Sequence, residues 1–267
     1  MRRKMLFIKS PEPPAPSAAA PPPSWPSGLF DNIAPRYDLV NMVISGGFIV
    51  YWDYRLRRAL LKAGAKAASK AGPGAGAALD LGCGTLRLAR GLMRRGLMPC
   101  APQARLVGLD LSPAMLAAGR SRLTPAARQR ILAVRGEAQA LPFADSSFEV
   151  VASQFLWRNL SARPPVLAEI MRVLKPGGYL LVMEFGSGQR RIWGGLYNFY
   201  LTRLLPRLAR LLSPQQEGYD YLVRSILAFP PSEAIAAEMR AAGFAQVEFT
   251  PLTSGIIFLH SARKPDG

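Results

Sequence analysis

The chain has 267 residues, and Lys and Arg outnumber Asp and Glu by 34 to 17, for a formal net charge of +17. A single histidine excludes a multi-histidine metal site, two cysteines suggest no disulfide framework and favour a reducing cytoplasmic setting, and no apolar run reaches the roughly eighteen residues of a membrane span. Apolar residues make up 49%, enough for one α/β domain with a sizeable core, while the charge favours an anionic partner: nucleic acid, an acidic membrane surface or a charged cofactor.

Residues 1–27 are basic, then briefly apolar, then mostly Pro, Ala and Ser. Proline at that density opposes helix and strand alike, so a disordered or polyproline tail is expected. Residues 28–263 form the domain. Phe48 to Ala63 reads as an amphipathic helix with Trp52, Leu56, Ala59, Leu60 and Ala63 on one face. Lys66 to Gly76 reads as an Ala/Gly linker. The stretch Ala77 to Leu81 is a short apolar strand, followed by the turn Gly82-Cys83-Gly84-Thr85 and a helix from Leu86 to Leu97. Further strands are expected at Arg105–Asp110, Ile131–Arg135, Phe148–Ser153 and Tyr179–Glu184. Ser112-Pro113 opens a helix with a cap residue and a proline at the first helical position. Pro164 to Leu174 is a helix, stopped at Lys175-Pro176-Gly177-Gly178. Residues 187–229 break this alternation with a cationic, Leu- and aromatic-rich segment carrying Arg203, Arg207 and Arg210. That segment is either a lid or membrane-surface element or an ordinary packed helix. Ser232 to Ala242 and two terminal strands, 247–251 and 255–261, complete the chain.

Strands alternating with helices imply right-handed crossovers and a mostly parallel, doubly wound sheet. In such a sheet the strand ends meet along one crevice. Gly82 and Gly84 permit close backbone approach, and Asp80, Thr85 and the N–H groups of the helix start add polar contacts. Asp110 ends the second strand, and Glu137 follows the third by two residues. An acid at the first position can accept ribose hydroxyls, and one at the second an adenine amino group. The turn is GxGx rather than GxGxxG, and no Walker lysine is present. The pattern suits a nucleoside without phosphates such as S-adenosylmethionine, with nicotinamide dinucleotides as the structural competitor. His260 lies far along the chain from these groups and is expected to be structural.

Four motifs, Asp80-Leu-Gly-Cys-Gly-Thr, Gly108-Leu-Asp-Leu-Ser-Pro-Ala-Met-Leu, Ala140-Leu-Pro-Phe-Ala-Asp-Ser-Ser-Phe and Arg172-Val-Leu-Lys-Pro-Gly-Gly, resemble class I S-adenosylmethionine-dependent methyltransferases. Phe30-Asp-Asn-Ile-Ala-Pro-Arg-Tyr-Asp-Leu-Val-Asn, Trp157-Arg-Asn-Leu, Met183-Glu-Phe, Tyr219-Asp-Tyr-Leu-Val-Arg-Ser-Ile and Leu252-Thr-Ser-Gly-Ile narrow the resemblance to the UbiE/MenG group. Those enzymes C-methylate the ring of ubiquinone and menaquinone precursors. The resemblance implies a Rossmann-like, seven-stranded sheet with N-terminal helices and a helical insertion after strand five. It places Gly82, Gly84 and Thr85 at the cofactor's methionine part and counts Asp80 and Gln154 among the cofactor-binding residues. It sets Asp110 on the ribose and Glu137 with Ala138 at the adenine. Arg158 and Asn159 would face the quinol, Arg158 stabilising a developing phenolate, and Tyr37 would belong to an amino-terminal segment closing over the site.

The partners implied are a prenylated quinol and the surface of an anionic inner membrane, with no nucleic acid; a homodimer is left open. The sequence departs from the group at several points. Leu86 stands where a third glycine is usual, Arg87 where an acid is frequent and Gln154 where a serine is usual, and Leu156-Trp157 replaces a Gly-Leu pair. Leu86 is expected to crowd the carboxylate end of the cofactor, and Trp157 to fill space near the acceptor. Another small hydrophobic acceptor, or a non-catalytic membrane-surface role, is the alternative.

Overall fold

The computed structural model describes residues 31, 34–71, 76–100, 104–186, 203 and 216–266. The expected tail, 1–27, lies outside these residues, as do Arg207 and Arg210 of the cationic segment. The elements in chain order are α1 (Tyr37–Ile44), α2 (Ile49–Ala71), β1 (Ala77–Leu81), α3 (Arg87–Met93), β2 (Arg105–Asp110), α4 (Pro113–Ser121), α5 (Pro125–Arg130), β3 (Ile131–Arg135), β4 (Phe148–Gln154), a 3-10 turn (Trp157–Asn159), α6 (Arg163–Val173), β5 (Leu174–Phe185), α7 (Gln216–Leu227), α8 (Ser232–Ala241), β6 (Ala245–Leu252) and β7 (Ile257–Arg263). The sheet has seven strands in the order β3-β2-β1-β4-β5-β7-β6. The first five run parallel, and β7 is antiparallel to both its neighbours. Strand order reverses at β1 and β4, which opens the crevice at their carboxyl ends.

Alternation along the strands divides the core between two faces. Ala78, Val150, Ala152, Leu181 and Met183 face the helix layer built on Trp52, Leu56 and Leu60 of α2. Leu79, Leu81, Val151, Leu180 and Val182 face Val166, Leu167 and Ile170 of α6 and Ile235 of α8. Asp80 is two residues from Ala78 and so turns toward the α2 side. The expected stripe of α2 is buried at Trp52, Leu56, Leu60 and Ala63. The helix continues to Ala71 instead of ending before the expected linker, because Ala and Lys are strong helix formers and only Gly64 interrupts them. The helix after the glycine turn stops at Met93, short of Leu97. Strand β5 reaches back to Leu174 and carries Lys175-Pro176-Gly177-Gly178 as an irregularity in its pairing with β4. Helix α5 has no counterpart in the sequence reading. Its start repeats the Ser112-Pro113 pattern, with the Thr124 hydroxyl accepting from Ala127 N. His260 is buried in β7 with Nε2 3.1 Å from the Ser232 carbonyl, in the structural role expected.

Leu86 sits just before α3 with φ 57°, ψ 32°, in the left-handed region, and is completely buried. Its side chain points away from the strand ends. A Cβ built on Gly108 would lie 2.5 Å from Leu86 Cδ2, and one built on Gly119 2.9 Å from Leu86 Cγ. The leucine thus plugs a socket between β2 and α4 that two glycines leave open. The left-handed backbone costs roughly 1–2 kcal/mol for a residue with a Cβ, and full burial of the leucine side chain, worth about 1.5–3 kcal/mol, offsets it. Leu86→Ala keeps the strain and loses the plug, so it is expected to lower the unfolding free energy by about 2–4 kcal/mol in urea denaturation. Leu86→Gly leaves the same void without the strain, and should retain more stability than Leu86→Ala by roughly 1 kcal/mol.

Candidate active site

A cavity of about 320 Å³ lies at the carboxyl ends of β1, β2 and β4. Its floor is the glycine turn. Gly82 N and Cys83 N donate to the Leu109 carbonyl at 2.8 and 3.0 Å. Gly82 has φ +72°, and a Cβ there would lie 3.0 Å from Leu156, so both backbone and space require glycine. Asp110, at the end of β2, accepts from Gly84 N at 2.7 Å and from Ser112 N at 2.9 Å, one bond per carboxylate oxygen. Each oxygen keeps a further lone pair. Burial pushes the Asp110 carboxyl up, and the backbone donors partly offset that. Glu137, Ala138, Tyr37 and Asn159 complete the wall, with Glu137 exposed at the rim.

Asp80 is buried, and its Oδ2 has no hydrogen-bond partner among the described residues. Desolvation, with the nearby Asp110 and Asp53 carboxylates, raises its pKa to about 8. Gln154, at the end of β4, donates to Asp53 Oδ1 on α2 at 2.9 Å. Thr85 lines a smaller cavity beside this one, with its hydroxyl proton engaged. That group donates to Asp38 Oδ1 at 2.7 Å, and Asp38 also receives Arg90 and Arg122 Nη1. This cluster fastens α1 across the glycine turn and sets Tyr37 over the cavity. Burial raises the Tyr37 phenol above its usual pKa, so it is protonated at neutral pH.

The pair Arg158–Asn159 separates. Asn159 reaches the cavity wall; its Nδ2 donates to the Phe155 carbonyl at 3.2 Å, and its Oδ1 accepts from the Tyr221 hydroxyl at 3.1 Å. Arg158 is not on that wall. Its Nη1 donates to Glu184 Oε1 at 2.9 Å and to the Phe155 carbonyl at 2.7 Å, and both charges are buried. The rings of Phe155 and Phe185 lie 5.7 and 5.3 Å from the guanidinium. The expectation that Arg158 confronts a phenolate is therefore corrected: Glu184 already neutralises it. Breaking such a pair costs about 3–5 kcal/mol, so the arginine acts by holding this corner. Trp157, expected near the acceptor, is instead completely buried in the core beneath α6.

Two residues at the site escaped the sequence reading. Phe155 has φ 61°, a strained conformation for an aromatic residue, and lines the cavity; such strain gathers at functional sites. Asp53 is buried on α2 between Gln154 and Arg87, 101 and 34 residues away in sequence. No local spacing signals either residue.

The profile of the ubiE/COQ5 methyltransferase family matches residues 26–264. The chain belongs to that family. It is similar to the ubiquinone/menaquinone biosynthesis C-methyltransferase UbiE of Dinoroseobacter shibae, at 37% identity over 89% of each chain. It is also similar to the demethylmenaquinone methyltransferase of Mycobacterium marinum, at 39% identity over 90% of this chain and 93% of the relative. Among solved structures, a methyltransferase dependent on S-adenosylmethionine from Aquifex aeolicus shares the fold, with TM-score 0.51 and 14% identity over 79% of this chain and 97% of that one. The protein is an S-adenosylmethionine-dependent methyltransferase.

The residues present fit that cofactor. The cavity lies within the usual 300–1,000 Å³ range for small-molecule sites. Asp80 Oδ2 is a buried acceptor awaiting a donor, which the cofactor's ammonium can be. Asp110 and Glu137 line the same cavity and carry acceptors that ribose hydroxyls and an adenine amino group could use. Leu86 crowds nothing, because it faces the socket between Gly108 and Gly119.

A raised acid pKa has a definite sign in stability. Between about pH 4 and 8 the folded chain holds a proton on Asp80 that the unfolded chain has released. The unfolding free energy is therefore expected to fall as pH rises through that window. Urea titrations at pH 5, 7 and 9 should show the fall in the wild type and a reduced slope in Asp80→Asn, with Asp110 retaining its share.

Proposed function

We propose that the enzyme methylates a ring carbon of a prenylated quinol in menaquinone or ubiquinone biosynthesis. The observation that carries the reading is a cavity at the strand ends lined by Asp110 and Glu137 together with Tyr37, Phe155 and several leucines, in a chain whose relatives of nearly full length are named for that reaction. Phe155 and Phe185 lie 4.9 Å apart, with Trp52 edge-on to both at 6.0 and 6.2 Å. Of these three rings only Phe155 lines the cavity, where its face can take a flat ring, and the other two pack against it.

Gly82, Gly84, Asp80 and Gln154 hold the methionine end of the cofactor, Asp110 the ribose, and Glu137 with Ala138 the adenine. When bound, S-adenosylmethionine supplies an electrophilic methyl group for in-line displacement. The acceptor carbon is most nucleophilic when its ortho-hydroxyl is partly deprotonated. Asn159 is placed to orient that hydroxyl, or a water that takes its proton. Tyr37, protonated, donates from above. Arg158 and Glu184 fix the loop that carries Asn159. Positioning and exclusion of water supply much of the rate. With labelled cofactor and a demethylated prenyl naphthoquinol or benzoquinol, label is expected in the ring methyl, and Asn159→Ala should lower kcat/KM by about tenfold or more. Intact cofactor binding with no transfer to either quinol would overturn the substrate.

The reaction belongs at an anionic membrane surface. Among the described residues no helix is long and apolar enough to cross a membrane. Helix α2 nevertheless exposes Val50, Tyr51 and Tyr54, and Phe48 just before it, each 41–51% accessible. The same face continues as Arg58, Lys62 and Lys66, and the only acid of α2, Asp53, is buried. Aromatic residues beside cations are the pattern of an interfacial helix. Phe48 also stacks on Trp52 at 6.3 Å, and Trp52 in turn lies edge-on to the cavity-lining Phe155. Replacing Phe48, Tyr51 and Tyr54 together with serine should reduce sedimentation with anionic vesicles at least fivefold, and binding of the wild type should weaken with salt. The exposed Leu132→Ser is the control, since β3 lies at the opposite edge of the sheet from β6. Vesicle binding equal in the triple variant and the wild type would remove this face from the reading.

A further inference from the structure

We propose that Arg87, held by Asp53, is the residue that binds the carboxylate of the cofactor's methionine end, opposite Asp80, which takes the ammonium. The assignment rests on the methyltransferase reading and goes beyond it, because the family frequently carries an acid at this position.

A second cavity of about 40 Å³ shares Tyr37, Gly82, Gly84, Gln154 and Phe155 with the larger one and adds Asp80 and Arg87 to its lining. Arg87 is the first residue of α3, so the glycine turn delivers it directly to this corner. Its Nε donates to Asp53 Oδ2 at 2.6 Å. Its two η nitrogens make no hydrogen bond or ion pair with the described residues, and its side chain is about one-fifth exposed. One edge of the guanidinium is thus fixed while the rest of the fork remains available, the arrangement that suits a planar carboxylate.

The local charge balance asks for an anion. Asp53 is a single buried carboxylate serving two cations, Arg87 at 2.6 Å and Arg57 at 3.8 Å. Counted over these three side chains, two guanidinium groups share one carboxylate, and of the two Arg87 is the one that lines the cavity. On the other side Asp80 has a buried oxygen without a donor. An α-amino acid end, with ammonium and carboxylate on one carbon, satisfies both. Gln154 adds to this. Its Nε2 is spent on Asp53 and on Met183 Sδ, at 2.9 and 3.7 Å. That leaves its carbonyl oxygen as the group offered to the ligand, on the ammonium side. Asp53 is accordingly a positioning residue for both Arg87 and Gln154. The two departures from the family pattern at 87 and 154 meet on one carboxylate.

The test pairs a ligand change with a residue change and reads binding by calorimetry. The ligands are S-adenosylmethionine, its decarboxylated form, which keeps the amine and sulfonium, and 5′-methylthioadenosine, which lacks the amino-acid end. The wild type should prefer S-adenosylmethionine over the decarboxylated ligand by tenfold or more. In Arg87→Met that preference should shrink below threefold, while methylthioadenosine affinity stays within twofold. Asp53→Asn should move the preference the same way, and Arg87→Lys should restore part of it. A wild type indifferent to the carboxylate, or an Arg87→Met variant that keeps the full preference, would overturn the assignment. So would equal losses for all three ligands in a variant whose melting temperature is unchanged. A wild type that binds none of the three would overturn the cofactor reading itself, and this assignment with it.

Discussion

One carboxylate ties the site together. Asp110 accepts Gly84 N with one oxygen and Ser112 N with the other, so the turn after β1 and the start of α4 hang from the end of β2. Both donors are amide groups that the strand-to-helix geometry leaves without intrahelical partners. Remove the carboxylate, and two part-buried donors lose their acceptor one strand away from the point where strand order reverses. The parallel register of β1 between β2 and β4 brings Asp110, Asp80 and Gln154 side by side. The cavity is a consequence of that register and of the glycines that let the turn fold tightly over it.

Around this anchor, the site is arranged as alternating charge. Asp38 fastens the amino-terminal helix through Thr85, Arg90 and Arg122. Asp53 gathers Arg57, Arg87 and Gln154. Glu184 neutralises Arg158 under two aromatic rings. In each cluster an acid, buried at Asp53 and Glu184 and half-buried at Asp38, directs cations or amides from distant segments. Asp80, also buried, keeps its Oδ2 without a hydrogen-bond partner among the described residues.

Much of this was legible in the sequence, and the reasons are local. Strands β2 and β3 fall on the expected residues because apolar runs bounded by turn residues have a period of their own. The helix start at Ser112 was legible because its cap lies within four residues. The motif spacing placed Gly82, Asp110 and Glu137 along one crevice, where the structure has them. What was not legible depends on partners far away in sequence. The bond of Thr85 was not legible because its partner Asp38 lies 47 residues away. The role of Arg158 changed because Glu184 claims its charge across 26. Asp53 was invisible because its whole importance lies in pairs that no periodicity encodes. The extension of α2 to Ala71 was a misreading of composition, with an Ala/Lys run taken for a linker when it is a good helix.

Leu86 and its socket carry a consequence for how sequences in this fold can be exchanged. The side chain at 86 and the bare backbone at 108 and 119 are three terms of one volume. A loop transplanted from a relative with glycine at 86 leaves a void here, and this loop placed in a relative with side chains at 108 and 119 collides. The three positions are therefore coupled through Leu86, although a side chain at 119 would also meet the Thr85 backbone at 2.8 Å and one at 108 the Cys83 side chain at 2.9 Å. Substitution effects measured at one of them therefore do not transfer between backgrounds, even though none of the three touches the ligand cavity.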